Sequence, residues 1–408
     1  MWSIGAHTEP EDIHLTLPRT LSFWLLAALL VLLLCAATAP SPLYAVYQQL
    51  WHFSPVTLTV IYAAYAIGGL TALLTTGRLS DYLGRRRVLF AALVVQVVAM
   101  LLFVAANDVS TLILARFVVG LATGAGLGAI GAWLLDLQPE PGLGTLVNGV
   151  CTLAGLGLGA FGAGLFVQYA PDPLHLVFWL LAAGYVIAMV AMLAIPDGIE
   201  PRAGWLGTLR PSVAVPPSTR KIFVAAAPGL IGTFALTGLY MSLGPSLALS
   251  LLHTDNRVPG GLVILALIAP GVATAVALHE REPGWVLVRS AAVLVVGVGV
   301  TIVGVWLGSV PLLYAGSVVA GIGFGPALSA FLRGVAPLAP PERRGALLSA
   351  TYVVVYLSFS VPAVIGGAAV SVVGLATTII GYGLVVMALA ALSAIAVSRR
   401  MTTAGGGP

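Results

Sequence analysis

The chain has 408 residues, 59% hydrophobic and 8% charged, with a net charge of +4, a mean hydropathy of +1.05 and a single lysine, Lys221. A water-soluble domain carries about a quarter charged residues, so composition excludes a soluble globular protein and asks for a bilayer as solvent. The basic residues sit between apolar runs, which excludes a nucleic-acid footprint. The cysteines, Cys35 and Cys151, lie inside such runs, without the number or spacing of a disulfide framework or a metal site.

Residues 1–20 read as a cytoplasmic tail with Glu9, Glu11, Asp12 and Arg19. An apolar run over 21–47 follows. Its stretch LLAALLVLLLCAATAP (25–40) has the outline of a secretory leader. Acids precede it, however, Leu34 stands where a lipoprotein site wants a small residue, and SPLYAVY continues it without a polar break. It is read as a retained first span. Further runs lie near 55–76, 87–106, 109–135, 144–169 and 174–195, then near 221–252, 258–278, 285–308, 310–332, 345–369 and 372–397. Each approaches the roughly 20 residues that a helix needs to cross the hydrocarbon. Continuous rather than alternating apolarity selects helices over barrel strands. The expected fold is all-α and integral to the membrane, with twelve transmembrane helices.

Residues 196–220, PDGIEPRAGWLGTLRPSVAVPPSTR, are rich in proline and glycine and read as a central cytoplasmic linker. It divides the chain into six-helix bundles over 21–195 and 221–398, with a short cytoplasmic tail over 399–408. The halves echo each other at a constant offset of 201: Gly120 and Gly124 match Gly321 and Gly325, and Gly144 matches Gly345. A pseudo-symmetric six-plus-six repeat is the plan of a transporter whose substrate site lies between its halves. Orientation follows from the basic residues. With both termini inside a bacterial-type inner membrane, every arginine and the lysine fall on the cytoplasmic side, except Arg257 outside and Arg116 within a span.

Charge concentrates in GRLSDYLGRRRVL (77–89), between the second and third spans. With Gly77, Leu79, Asp81, Gly84, Arg85, Arg86 and Arg87, this segment resembles the signature loop of the major facilitator superfamily. Tyr82 stands where that pattern has a second basic residue. Glycines permit tight turns there, an aspartate suits a helix N-terminus, and Arg85 can pair with Asp136 at the end of the fourth span. The resemblance implies a conformational latch of Gly77, Asp81, Gly84, Arg85, Arg86 and Asp136. That latch holds the cytoplasmic ends together near the start of the eleventh span. The fourth span, ARFVVGLATGAGLGAIGAWLLD, resembles the family's second motif, and its Arg116 is the one charge placed well inside a span. In the fifth span GLGLGAFGAG (155–164) resembles the glycine-rich element of the family's exporters, with Ala160 in place of proline. Its Gly155, Gly159 and Gly164 also suit ordinary close packing.

Candidate substrate contacts are polar residues at helical spacing: Tyr44 and Tyr47 in the first span, Tyr62 and Tyr65 in the second, and Asn148 in the fifth. Thr237 and Tyr240 in the seventh and Tyr352 and Tyr356 in the eleventh complete the set. They describe an aromatic, mostly uncharged cavity, suited to amphipathic or hydrophobic small molecules rather than sugars. The expected function is alternating-access secondary transport that exports amphipathic or hydrophobic small molecules, with proton antiport as the candidate coupling and an uncoupled facilitator or importer of a small organic solute as the alternative. The expected partners are a small-molecule substrate, the lipid bilayer and, for antiport, protons, with the monomer as functional unit. No cofactor or metal is expected, and no Walker loop is present to make the chain an ATP-driven pump. A polytopic membrane enzyme would gather His, Asp or Glu at one depth, yet His52, His175, His253 and His279 lie apart. A sensor would need an output domain that the tails do not supply. All fourteen acids fall in tails, loops or span ends, so a proton path has Asp136 as its first candidate.

Overall fold

The structure, a computed structural model, describes residues 17–76, 79–196, 213–254, 256–340 and 343–405, with side chains to 400. Gly77 of the loop motif and most of the 196–220 segment lie outside the described residues, as do Glu9, Glu11, Asp12, Asp197, Glu200, Asp255 and Glu342.

Sixteen α-helices follow one another among the described residues, with no strand between them. The first eight are α1 (Arg19–Thr38), α2 (Tyr44–Trp51), α3 (Pro55–Thr76), α4 (Ser80–Leu83), α5 (Arg85–Val104), α6 (Val109–Leu137), α7 (Leu143–Tyr169) and α8 (Leu176–Met192). The rest are α9 (Pro217–Ser242), α10 (Gly244–Leu252), α11 (Val258–Ala277), α12 (Pro283–Trp306), α13 (Val310–Phe324), α14 (Ala327–Val335), α15 (Arg344–Val373) and α16 (Leu375–Gly405). Among the described residues, eleven segments are long and apolar enough to cross a membrane, counting Val310–Leu338 as one. The sequence reading expects a twelfth over 174–195. There the helix is α8, of 17 residues, because the chain turns at Leu193 and Ala194. The long helices are apolar all round, and side chains such as Ile187, Val190, Trp306 and Val372 stay exposed on the outside. In a multi-pass membrane protein that surface faces lipid.

Three runs that read as continuous are broken. Pro40 and Pro42 lie between α1 and α2, and Pro245 opens α10 after a break at Leu243. Gly325 and Pro326 separate α13 from α14. A proline offers no N–H to carry a helix across such a point. α2 and α10 each end on a histidine in the left-handed region, His52 at φ 50° and His253 at φ 48°. These residues stand at the same offset of 201 that relates the glycines. At its far end, α16 continues through 399–405, where a tail is expected.

Glycines set the closest helix pairs. A Cβ on Gly120 would land on the Tyr65 carbonyl, and one on Gly68 on that of Phe117, so α3 and α6 meet backbone to backbone. The second part does the same between α11 and the end of α13: Gly321 faces the Leu267 carbonyl and Gly325 that of Gly271. Small residues allow this approach in lipid, where packing rather than the hydrophobic effect drives helix association. Elsewhere in the first part α1 packs on α7, and α5 on α6 and α8; in the second, α16 packs on α9 and α12. Two broad contacts join the parts, α7 against α11 and α3 against α15.

Candidate functional site

At the arginine-rich end, Gly84 takes φ 94° between α4 and α5, a turn that a side chain would strain. The turn sets Arg85 between two carboxylates. Its guanidinium pairs with Asp81, donates from Nε to Asp136 Oδ2 at 3.3 Å and donates to Ser80 Oγ at 2.8 Å. Arg85 is 11% exposed, while Asp81 and Asp136 are about half exposed. Arg19 donates to the Asp136 carbonyl at 2.9 Å, and Arg86 donates to the Ile195 carbonyl. Arginines thus tie together the α4–α5 elbow, the start of α1 and the ends of α6 and α8. The described partners all belong to the first part of the chain.

Toward the opposite end, α6 buries Arg116 completely. One terminal nitrogen, Nη1, donates to the Ala37 carbonyl at 2.6 Å. The guanidinium carbon lies 5.5 Å from the ring centre of Tyr44, 5.3 Å from Tyr62 and 5.2 Å from Tyr65. Nε, Nη2 and the Tyr44 hydroxyl are buried without a hydrogen-bond partner. Arg116 enters none of the ion pairs among the described residues. Cation–π contacts offset part of the cost of burying the charge, each by about 0.5–2 kcal/mol. Four of its five N–H groups can still take an acceptor.

Beside this cage runs the seam between α3 and α15. Tyr62 lies 4.9 Å from Phe359 between ring centres and Tyr65 lies 6.5 Å from it. One turn on, the Tyr356 ring covers Gly69 so closely that a Cβ there would stand 2.8 Å from it. The structure therefore brings Tyr44, Tyr62, Tyr65 and Tyr356 to the cage or the seam, with Tyr352 half-buried on the turn of α15 before Tyr356. It places the other candidates elsewhere. Tyr47 stacks on Trp51 of its own helix at 4.9 Å. Asn148 faces Gly131 of α6, and Thr237 donates to the Thr233 carbonyl at 3.0 Å. Tyr240 shares hydrogen bonds with Thr301 at 3.2 Å and Ser317 at 3.0 Å, on a cavity of about 20 Å³ enclosed by α9 to α13 and α16. That volume holds about one water. Thr237 and Tyr240 find carbonyl or hydroxyl partners within their own half, whereas Asn148 Oδ1 is buried without one.

The α7 glycines divide between two neighbours. Gly155 and Gly159 seat against Leu34 and Cys35 of α1, while Gly164 faces Gly261 of α11. At this same end Arg257, just before α11, donates to Gln49 Oε1 at 2.8 Å, and its backbone N–H donates to Gln168 Oε1 at 2.9 Å. Sequence reasoning missed this tie, the only signal being that the expected orientation sets Arg257 apart from every other basic residue in a loop. It missed Phe359 as well, an apolar residue in an apolar helix. Every described carboxylate sits at a helix end or in a loop. Asp108 caps α6 through the Thr111 N–H at 2.7 Å, which holds its carboxyl below the usual range.

Residues 25–286 match the family model described as the Major Facilitator Superfamily. The arabinose-proton symporter of Bacillus subtilis is 29% identical over 167 residues, 39% of this chain and 35% of that protein. The glucose transporter GlcP of Staphylococcus epidermidis is 26% identical over 138 residues, 33% of this chain and 30% of that one. The chain thus spans about a third of the length of the curated relatives it matches. Among solved structures, a bacterial homolog of the human lysosomal transporter Spinster, inward-facing and unoccupied, superposes with a TM-score of 0.73. It covers 95% of this chain and 98% of its own at 13% identity. The human organic anion transporter MFSD10 (TETRAN) gives 0.65, covering 93% and 100% at 17% identity. At these identities the likeness is one of fold.

Proposed function

The chain belongs to the Major Facilitator Superfamily, and from that membership we propose that it moves an amphipathic small molecule by alternating access between two six-helix bundles. Its family and structural neighbours are transporters, not enzymes. In this reading α8 is the sixth span and brings the count to twelve, residues 21–195 and 221–398 are the bundles, and the arginine-rich end is cytoplasmic. The seam carries it: aromatic side chains of α3 and α15 meet beside a buried arginine, and among the described residues no row of amides or carboxylates joins them to hold a sugar's hydroxyls. The repeated glycine and histidine geometry supports two equivalent halves, whose rocking would open the seam to either side in turn. Export is the direction we favour, on the glycine-rich α7. Import of a small organic solute is the second reading, favoured by the sugar transporters among the relatives.

The tie at Arg257 gives a test that needs no substrate. Its bond to Gln49 joins the two bundles at the outer end and is worth about 1 kcal/mol, so removing it shifts the access equilibrium about fivefold. In right-side-out vesicles, a cysteine at Tyr356 should react about five times faster with an externally added impermeant maleimide when Arg257→Ala is present. Equal rates, or labelling from one face alone under all conditions, would argue against alternating access through this seam.

A further inference from the structure

We infer that Arg116 is a binding fork for the carboxylate of an organic monoanion, whose apolar body lies along Tyr62, Tyr65 and Phe359. The inference rests on the alternating-access reading, because the seam must open for such a molecule to arrive.

The geometry of the guanidinium carries it. Nη1 is held by the Ala37 carbonyl at 2.6 Å, which fixes the orientation of the plane. The two nitrogens left without partners, Nε and Nη2, share the opposite edge, where their N–H bonds run parallel. That edge grips a carboxylate through two charge-assisted hydrogen bonds, an arrangement a point charge does not reproduce. The buried Tyr44 hydroxyl lies beside the same group and can turn its O–H toward a bound carboxylate.

Charge leads to the same class of ligand. Burying an ionised side chain without an opposite charge is costly, and protein interiors answer it with a paired anion. No described carboxylate pairs with Arg116, so the pairing charge is one that comes and goes. A single cation matches a monoanion. A phosphate dianion would call for a second basic residue, and Arg116 is the one charge set well inside a span. Three tyrosine rings within 5.5 Å surround the fork with flat apolar walls suited to an aromatic or alkyl body.

The test uses the purified full chain in nanodiscs, in chloride-free sulfate buffer, with 1-naphthoate, its neutral isostere 1-naphthamide and chloride as probes. Thermal unfolding is the readout. Naphthoate should raise the wild-type Tm while naphthamide and chloride leave it in place. Arg116→Lys keeps the charge and loses the fork, so it should raise the half-saturating naphthoate concentration at least about tenfold. Arg116→Met should abolish the response. Equal responses to naphthoate and naphthamide would overturn the inference. So would a chloride response as large as that to naphthoate, which would mark a halide site, or a naphthoate response that survives Arg116→Met. Should that happen while Arg257→Ala still speeds labelling at Tyr356, the fork falls and alternating access stands.

Discussion

Gly120→Val should lower the Tm of the purified protein by several degrees, and Gly321→Val should do the same. At both positions the new Cβ would fall on a backbone carbonyl of the facing helix, Tyr65 on α3 or Leu267 on α11. Overpacking a tight interface costs about 1–3 kcal/mol when side chains can shift. Here the obstacle is backbone, so the helices themselves must separate and we expect the upper end, about 3 kcal/mol. The control is Gly162→Ala on α7, where a Cβ meets nothing within 4 Å. That change should leave the Tm unaltered or raise it slightly, since alanine is the better helix former by about 1 kcal/mol. Scanning fluorimetry of the four proteins in one detergent decides the matter. A Gly120→Val protein as stable as wild type, or a control that falls with it, would contradict the backbone-to-backbone contact.

These glycines also show what the sequence made legible. Gly120 and Gly124 repeat as Gly321 and Gly325 at a fixed offset, and the structure gives both pairs the same task. His52 and His253 share that offset, yet nothing in a lone histidine announces a left-handed cap. Helix breaks were harder to read. Pro245 and Pro326 lie at breaks, whereas Pro228, Pro270 and Pro362 sit inside unbroken helices. Local sequence does not separate the cases, because neighbouring helices decide whether freed carbonyls are satisfied. Charges stood out, since in so apolar a chain each is rare. The tyrosines could not be sorted in the same way. A helix apolar on all sides carries no stripe to say which face turns inward. Tyr62 therefore reached the seam and Tyr240 the inside of its own half, although the two read alike in sequence.

Arg85→Ala should lose at least about nine-tenths of transport while leaving the fold nearly as stable as before. Arg85 joins Asp81 on α4 to Asp136 at the end of α6, and both acids are about half exposed. Ion pairs in that setting contribute about 0–1 kcal/mol, so the Tm should barely move. The consequence for motion is larger. Without the guanidinium, two carboxylates face each other across the elbow at Gly84, and their repulsion drives α4 away from α6. If the elbow governs closure of the arginine-rich end, that end then stays open and the cycle stalls. Arg85→Lys returns the charge without the second hydrogen-bonding edge and should recover only part of the flux. Asp81→Asn, which removes the repulsion as well, should partly restore transport when added to Arg85→Ala. Naphthoate flux in proteoliposomes gives the first readout, normalised to reconstituted protein. The labelling ratio of a cysteine at Tyr356 from the two faces gives the second, and it should shift toward the arginine-rich side. Flux and ratio both at wild-type values in Arg85→Ala would show the cluster to be a surface charge patch with no part in the cycle.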